Sequence, residues 1–122
     1  MAGVKGGVQC RAATWLVAAA AICCAARAEA GFLGGEELYQ LCDSNNIIER
    51  SLCESYIMGV IDATVRLLPP NDSGRFCLPD HSRMRDVEPV VRSYLKTKPD
   101  RRDSPAEILI AAALRERFPC PR

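Results

Sequence analysis

Four cysteines lie beyond Ala30, at positions 42, 53, 77 and 120, and they set the first constraint on this chain. An even number of cysteines in a short exported chain reads as a disulfide framework. Export itself is read from residues 1–30. Lys5 and Arg11 form a short basic lead, residues 12–26 carry no charge, and Ala28-Glu29-Ala30 puts small residues at the two positions a signal peptidase inspects. That order is the pattern of a cleavable secretory signal, with cleavage expected after Ala30. The apolar run is too short for a membrane anchor, which needs about 20 residues. Cys10, Cys23 and Cys24 leave with this segment.

The expected mature chain, residues 31–122, has 92 residues, enough for one small domain. Its 13 Lys and Arg against 14 Asp and Glu give a net charge of −1. Nucleic-acid binding requires a positive patch that neutralises phosphates, and the balance offers none. It gives no reason to expect membrane attachment after signal cleavage either. The four cysteines are separated by 11, 24 and 43 residues with no C-x-x-C pair, and His81 is the single histidine, so zinc is a poor use for them. No metal and no cofactor is expected. Three disulfide pairings are open to four cysteines.

Apolar spacing predicts an all-α domain of about four helices. The first covers Glu36–Cys42 after a flexible Gly31–Gly35 start, with Asp43-Ser44-Asn45-Asn46 as its stop. The second runs Ser51–Leu68, opened by a Ser51/Glu54 capping box, with a stripe including Cys53, Tyr56, Ile57, Val60 and Ile61. Gly59 in mid-helix costs about 1 kcal/mol relative to alanine, which points to close approach by another backbone. Asp62 reads either as a solvated acid at the edge of the stripe or as a buried structural acceptor. Pro69–Arg75 is a loop dense in turn formers. Phe76 and Leu78 flank Cys77, which places its disulfide against the core. The third helix is predicted over Val87–Thr97 with Asp86 as cap and Pro89 in the first turn. The fourth opens on Ser104-Pro105-Ala106-Glu107, with serine as N-cap and glutamate completing a capping box. With neighbouring helices antiparallel, Cys42 and Cys53 bracket the first turn and Cys77 comes back beside Cys120, which favours those two pairings.

No catalytic set emerges. Asp80-His81-Ser82 adjoin in sequence, whereas triads are assembled from residues far apart in the chain. There is no glycine-rich phosphate loop and no second histidine. The expected function is therefore binding, through a surface, to another protein.

An ordered set of segments sharpens that expectation. Glu37–Cys42, Cys53–Ala63, Phe76–Pro79, Tyr94-Leu95 ahead of Lys98-Pro99, Ser104–Ala106 and Phe118–Cys120 follow one another along the chain. Together they resemble the Rap/Tai family of type VI secretion immunity proteins, small helical periplasmic proteins of Gram-negative bacteria. Lys98 and Asp103 depart from it, since the family often has histidine there. The resemblance implies a framework of Cys42, Cys53, Cys77, Cys120, Tyr56, Gly59 and Asp62. It also implies a homodimer that covers the active-site cleft of a toxic peptidoglycan amidase. The family's toxin-contacting residues do not transfer, so the expected partner loop, Asn71, Asp72, Ser73 and Gly74 within Pro69–Arg75, rests on its stiff, projecting composition. The alternative function is a periplasmic stress chaperone or general binding protein of unknown client, with Tyr39, Met58, Phe76 and Met84 as an adaptable apolar surface.

Overall fold

In the computed structural model, residues 32–121 are described; the signal-peptide reading of residues 1–30 lies outside the described residues. Among the described residues the order is α1 (Gly35–Asp43), α2 (Ile47–Leu67), α3 (Met84–Thr97), a 3-10 turn (Pro99–Arg101) and α4 (Ala106–Arg117). Every helix packs on the other three. Leu38 and Cys42 from α1, Cys53 and Ile57 from α2, Val87, Val91 and Leu95 from α3, and Leu109, Ile110 and Leu114 from α4 meet in one core that Phe76 completes. Fully burying a side chain of this kind contributes about 1.5–3 kcal/mol. The all-α architecture is as the apolar spacing predicted.

The helix starts differ from the sequence reading. Helix α2 begins at Ile47, not Ser51, because Asn46 caps it: its Oδ1 accepts from the Ile48 amide at 2.8 Å. Ser51 becomes interior, its hydroxyl donating to the Ile47 carbonyl at 2.8 Å instead of capping. Helix α3 begins at Met84, three residues early. Asp86 acts there from the third helical position, accepting the Arg83 amide at 3.0 Å. Pro89 therefore lies beyond the first turn, and the Arg85 carbonyl goes without an amide from position 89.

The start of α4 is corrected most. Pro105, not Ser104, is its N-cap, and no side chain caps it. Main chain from the start of the domain does so instead. The Ala106 amide donates to the Leu33 carbonyl at 3.0 Å, and the Gly35 amide donates to the Ser104 carbonyl at 3.0 Å. The segment expected to be a flexible lead-in is docked on α4, with Gly35 buried. A Cβ at Gly35 would stand 2.7 Å from the Arg102 carbonyl oxygen and 2.9 Å from that of Ser104. Only glycine fits there.

Arg102 closes the same corner. Its Nε donates to the Leu95 carbonyl at 2.8 Å, Nη1 reaches Glu36 Oε2 at 3.3 Å, and the guanidinium lies 3.5 Å from the centroid of the Tyr39 ring. One side chain thus joins the end of α3 to α1. Glu88 on α3 is 4 % exposed, and among the described residues its Oε1 has Arg92 Nε, one turn on at 3.3 Å, as its charged neighbour.

Candidate functional site

The two disulfides pair as the helix geometry favoured, and they set the frame on which any binding surface is carried. Cys42–Cys53 joins α1 to α2 with its Cα atoms 5.2 Å apart, both cysteines buried. Cys77–Cys120 ties the loop after α2 to the C-terminal segment, with Cα atoms 4.8 Å apart. The Cys77 amide adds a hydrogen bond to the Phe118 carbonyl at 2.9 Å. Its placement against the core is corrected: Cys77 is exposed and Cys120 half-buried. Phe76 alone turns fully inward, and Leu78 is half-buried. A backbone crossing the surface sends alternate side chains in and out, so the neighbours of a buried residue face solvent.

The Pro69–Arg75 loop is held firmly at both ends. Two successive turns shape it, with Asp72 N donating to Pro69 O at 3.0 Å and Arg75 N donating to Asp72 O at 3.1 Å. Asp72 Oδ1 accepts the Gly74 amide at 2.6 Å, an Asx turn. Arg75 Nη1 donates to the Leu68 carbonyl at 2.6 Å and clips the loop to the end of α2. Asn71, Asp72 and Ser73 are exposed, whereas Gly74 is half-buried, and a Cβ there would meet Asp72 Oδ1 at 2.9 Å. Gly74 thus shapes the loop, and its three predecessors present it. An open cleft of about 580 Å³ separates Pro70 and Asp72 from Arg115 and Pro121.

The trio Tyr56, Gly59 and Asp62 is not brought together. Tyr56 is half-buried beside Glu107 of α4, while Gly59 and Asp62 point to solvent. Burial, and then the Glu107 carboxylate beside it, push the Tyr56 phenol above its ordinary 10.0. The glutamate expected to complete a capping box at α4 is thus turned toward α2, and its Oε2 is buried without a hydrogen-bond partner. For Gly59 the expectation of a close backbone is overturned within the described residues: no atom of another element comes within 4 Å of the Cβ it would carry. Asp62 is the solvated acid of the two readings.

His81 sits in an exposed turn at φ 63°, and the Ser82 hydroxyl donates to the Pro79 carbonyl at 2.6 Å. The stretch is a local turn. The apolar surface imagined for a chaperone is also not there: Phe76 is buried, Tyr39 lies under Arg102, Met84 packs on the core, and of the four only Met58 is open.

With this frame in place, the comparison with known proteins is decisive for the family. The model of the Rap1a immunity proteins matches residues 34–120. The chain belongs to that family. No curated protein sequence matches it. The match begins at Gly34, where the lead-in docks on α4, and ends on Cys120. It therefore takes in both disulfides and all four helices of this Rap1a family member. Immunity proteins of this kind act by binding a protein toxin, so a protein is the expected partner.

Proposed function

We propose that this Rap1a family member is exported to the periplasm and neutralises a type VI secretion effector of the peptidoglycan amidase class, by binding and without chemistry of its own. The family match over residues 34–120 carries the reading. The scaffold supports it: the cysteines are locked in disulfides, and the exposed histidine lies in a turn whose serine is engaged with backbone. The working form is a homodimer. The toxin-facing element is the Asn71-Asp72-Ser73 projection, which two turns, the Arg75 clip and the Cys77–Cys120 bridge hold in one shape. A preorganised loop loses little entropy on entering a cleft.

The test takes a purified Cys–His peptidoglycan amidase of the effector class, drawn from the adjacent reading frame if that frame encodes one, and measures its hydrolysis of peptidoglycan with and without the oxidised protein. Inhibition by the wild type, lost in Asn71→Arg/Ser73→Arg with an unchanged circular dichroism spectrum, is the expected result. Substitution is preferable to deletion, since removing Gly74 would disturb the Arg75 clip. Undiminished inhibition by the double variant would remove the loop from the contact. No inhibition by the wild type would remove the amidase.

A further inference from the structure

The cleft beside the Pro69–Arg75 loop holds a charge that the fold itself does not use. Arg115, in the last turn of α4, is half-buried and lines it. Among the described residues no carboxylate pairs with its guanidinium, and none of its N–H groups donates to a protein acceptor. Its Nη1 stands 3.9 Å from the position that a Cβ on Gly74 would take, so the side chain reaches from α4 to the loop. Arg75 lines the same cleft, and with Nη1 fixed on the Leu68 carbonyl its other N–H donors remain.

The walls are stiff. Pro70 stands on the loop side, and on the other side Pro119 and Pro121 bracket Cys120, which is bridged to Cys77. Proline rings offer apolar surface and have little side-chain freedom to lose. Like charges in a cleft with apolar walls exert a stronger field than they do in open water.

We propose that this cleft takes the carboxylate of an aspartate or glutamate side chain from the partner protein, with Arg115 as its principal donor. The inference deepens the reading of the loop as the toxin-facing element, and rests on it. A guanidinium presents paired N–H groups in a fork that a carboxylate matches. Asn71 and Ser73, exposed at the rim, bring an amide and a hydroxyl donor beside it. Asp72 limits the charge of the guest. Two guanidinium groups against one carboxylate among the lining residues leave a single net positive charge. That suits one carboxylate and falls short of a phosphate group, which carries about 1.5–2 negative charges. The site also discriminates, because a partner with no acid in that place leaves Arg115 desolvated and unpaired.

Two titrations of the oxidised protein, expressed with its own leader, test the proposal. In the first, arginine Nε–H and backbone amide signals are followed by NMR. The probes are a blocked peptide in which aspartate and glutamate alternate with glycine, its asparagine and glutamine counterpart, and inorganic phosphate. The acidic peptide should shift the Arg115 and Gly74 signals saturably and bind more tightly than phosphate; the neutral peptide should do neither. Arg115→Gln should abolish the Gly74 shift while changing the melting temperature little, since the fold gives that guanidinium no partner. Asp72→Asn keeps an Oδ1 for the Gly74 amide, so it should leave the loop in place and tighten the acidic peptide. A merely structural role predicts no such gain. No shift with the acidic peptide, an equal shift with the neutral one, or tighter binding of phosphate would overturn the inference.

In the second, the purified Cys–His amidase is titrated by calorimetry. Arg115→Gln should weaken its binding about ten-fold, as expected for losing a hydrogen bond to a charged group, and flatten the salt dependence. Arg115→Lys should recover part of the loss, because an ammonium keeps the charge without the fork. Amidase binding that Arg115→Gln leaves unchanged would overturn the inference and spare the immunity reading. A wild type that binds the acidic peptide at Arg115 but not the amidase would instead sink the immunity reading and leave the carboxylate site standing.

Discussion

Replacing Gly35 by alanine adds one methyl group, yet it should cost about 2 kcal/mol. The Cβ would press on Leu109 and stand 2.7 and 2.9 Å from the carbonyl oxygens of Arg102 and Ser104, neither of which is the movable end of a flexible side chain. Forcing an extra carbon into such a site costs about 1–3 kcal/mol. Moving α1 away to make room stretches the Gly35 N–H to Ser104 bond, 3.0 Å long, and a buried hydrogen bond is worth about 1 kcal/mol. Against these stands a gain of about 0.4–1 kcal/mol, because alanine restricts the unfolded chain more than glycine does. For a domain of this length about 2 kcal/mol lowers the melting temperature by about 8–16 °C. Urea denaturation of the oxidised protein measures the change, with an unaltered slope confirming that the unfolded state is the same. Gly34→Ala is the matched control. Its nearest atom would be 3.8 Å away, at the tip of Glu37, so its stability should change little. If Gly35→Ala is as stable as Gly34→Ala, the docking of the lead-in on α4 is wrong.

Arg102→Ala should destabilise by about 2–3 kcal/mol, combining a charged hydrogen bond to Leu95 O with the stacking on Tyr39. Arg102→Lys should recover little of it in the same denaturation assay, because an ammonium cannot hold both contacts in one plane. Stepwise reduction followed by mass spectrometry should open Cys77–Cys120 before Cys42–Cys53, since Cys77 is exposed and the other pair is buried. Replacing each pair by serine should cost about 4 and about 3 kcal/mol respectively from loop closure alone. Stability should be complete below pH 10 and fall as pH rises through the raised value of the Tyr56 phenol, because the unfolded chain gives up a proton that the folded one retains. Denaturation midpoints of Tyr56→Phe should decline less over that range; an identical decline would detach Tyr56 from the effect.

Much of the fold is legible in the chain alone. Leu38 and Cys42, Cys53 and Ile57, Val91 and Leu95, and Leu109 with Ala113 recur at helical spacing, and each pair is buried as that spacing implies. The disulfide pairing was accessible as well, because two short connections leave few ways for four helices to bring cysteines together. The helix starts were less accessible. Ser51, Asp86 and Ser104 are all good caps, and local chemistry alone cannot tell which of several good caps the chain uses. At α4 the answer came from Leu33 and Gly35, about 70 residues upstream in sequence, whose main chain takes the place of a side-chain cap.

The candidate site divides along the same line. Pro69–Arg75 announced itself by composition, since proline, asparagine, aspartate and glycine encode turns through their own backbone preferences. What holds that loop, the Arg75 clip and the bridge to Cys120, depends on contacts between distant segments. Gly59 shows the limit most plainly. The sequence by itself determined that a mid-helix glycine costs stability, and hence that something should approach it. Only the tertiary structure decided that it faces away from the protein's own core, because burial depends on which side of α2 the other helices cover, and they cover Cys53 and Ile57.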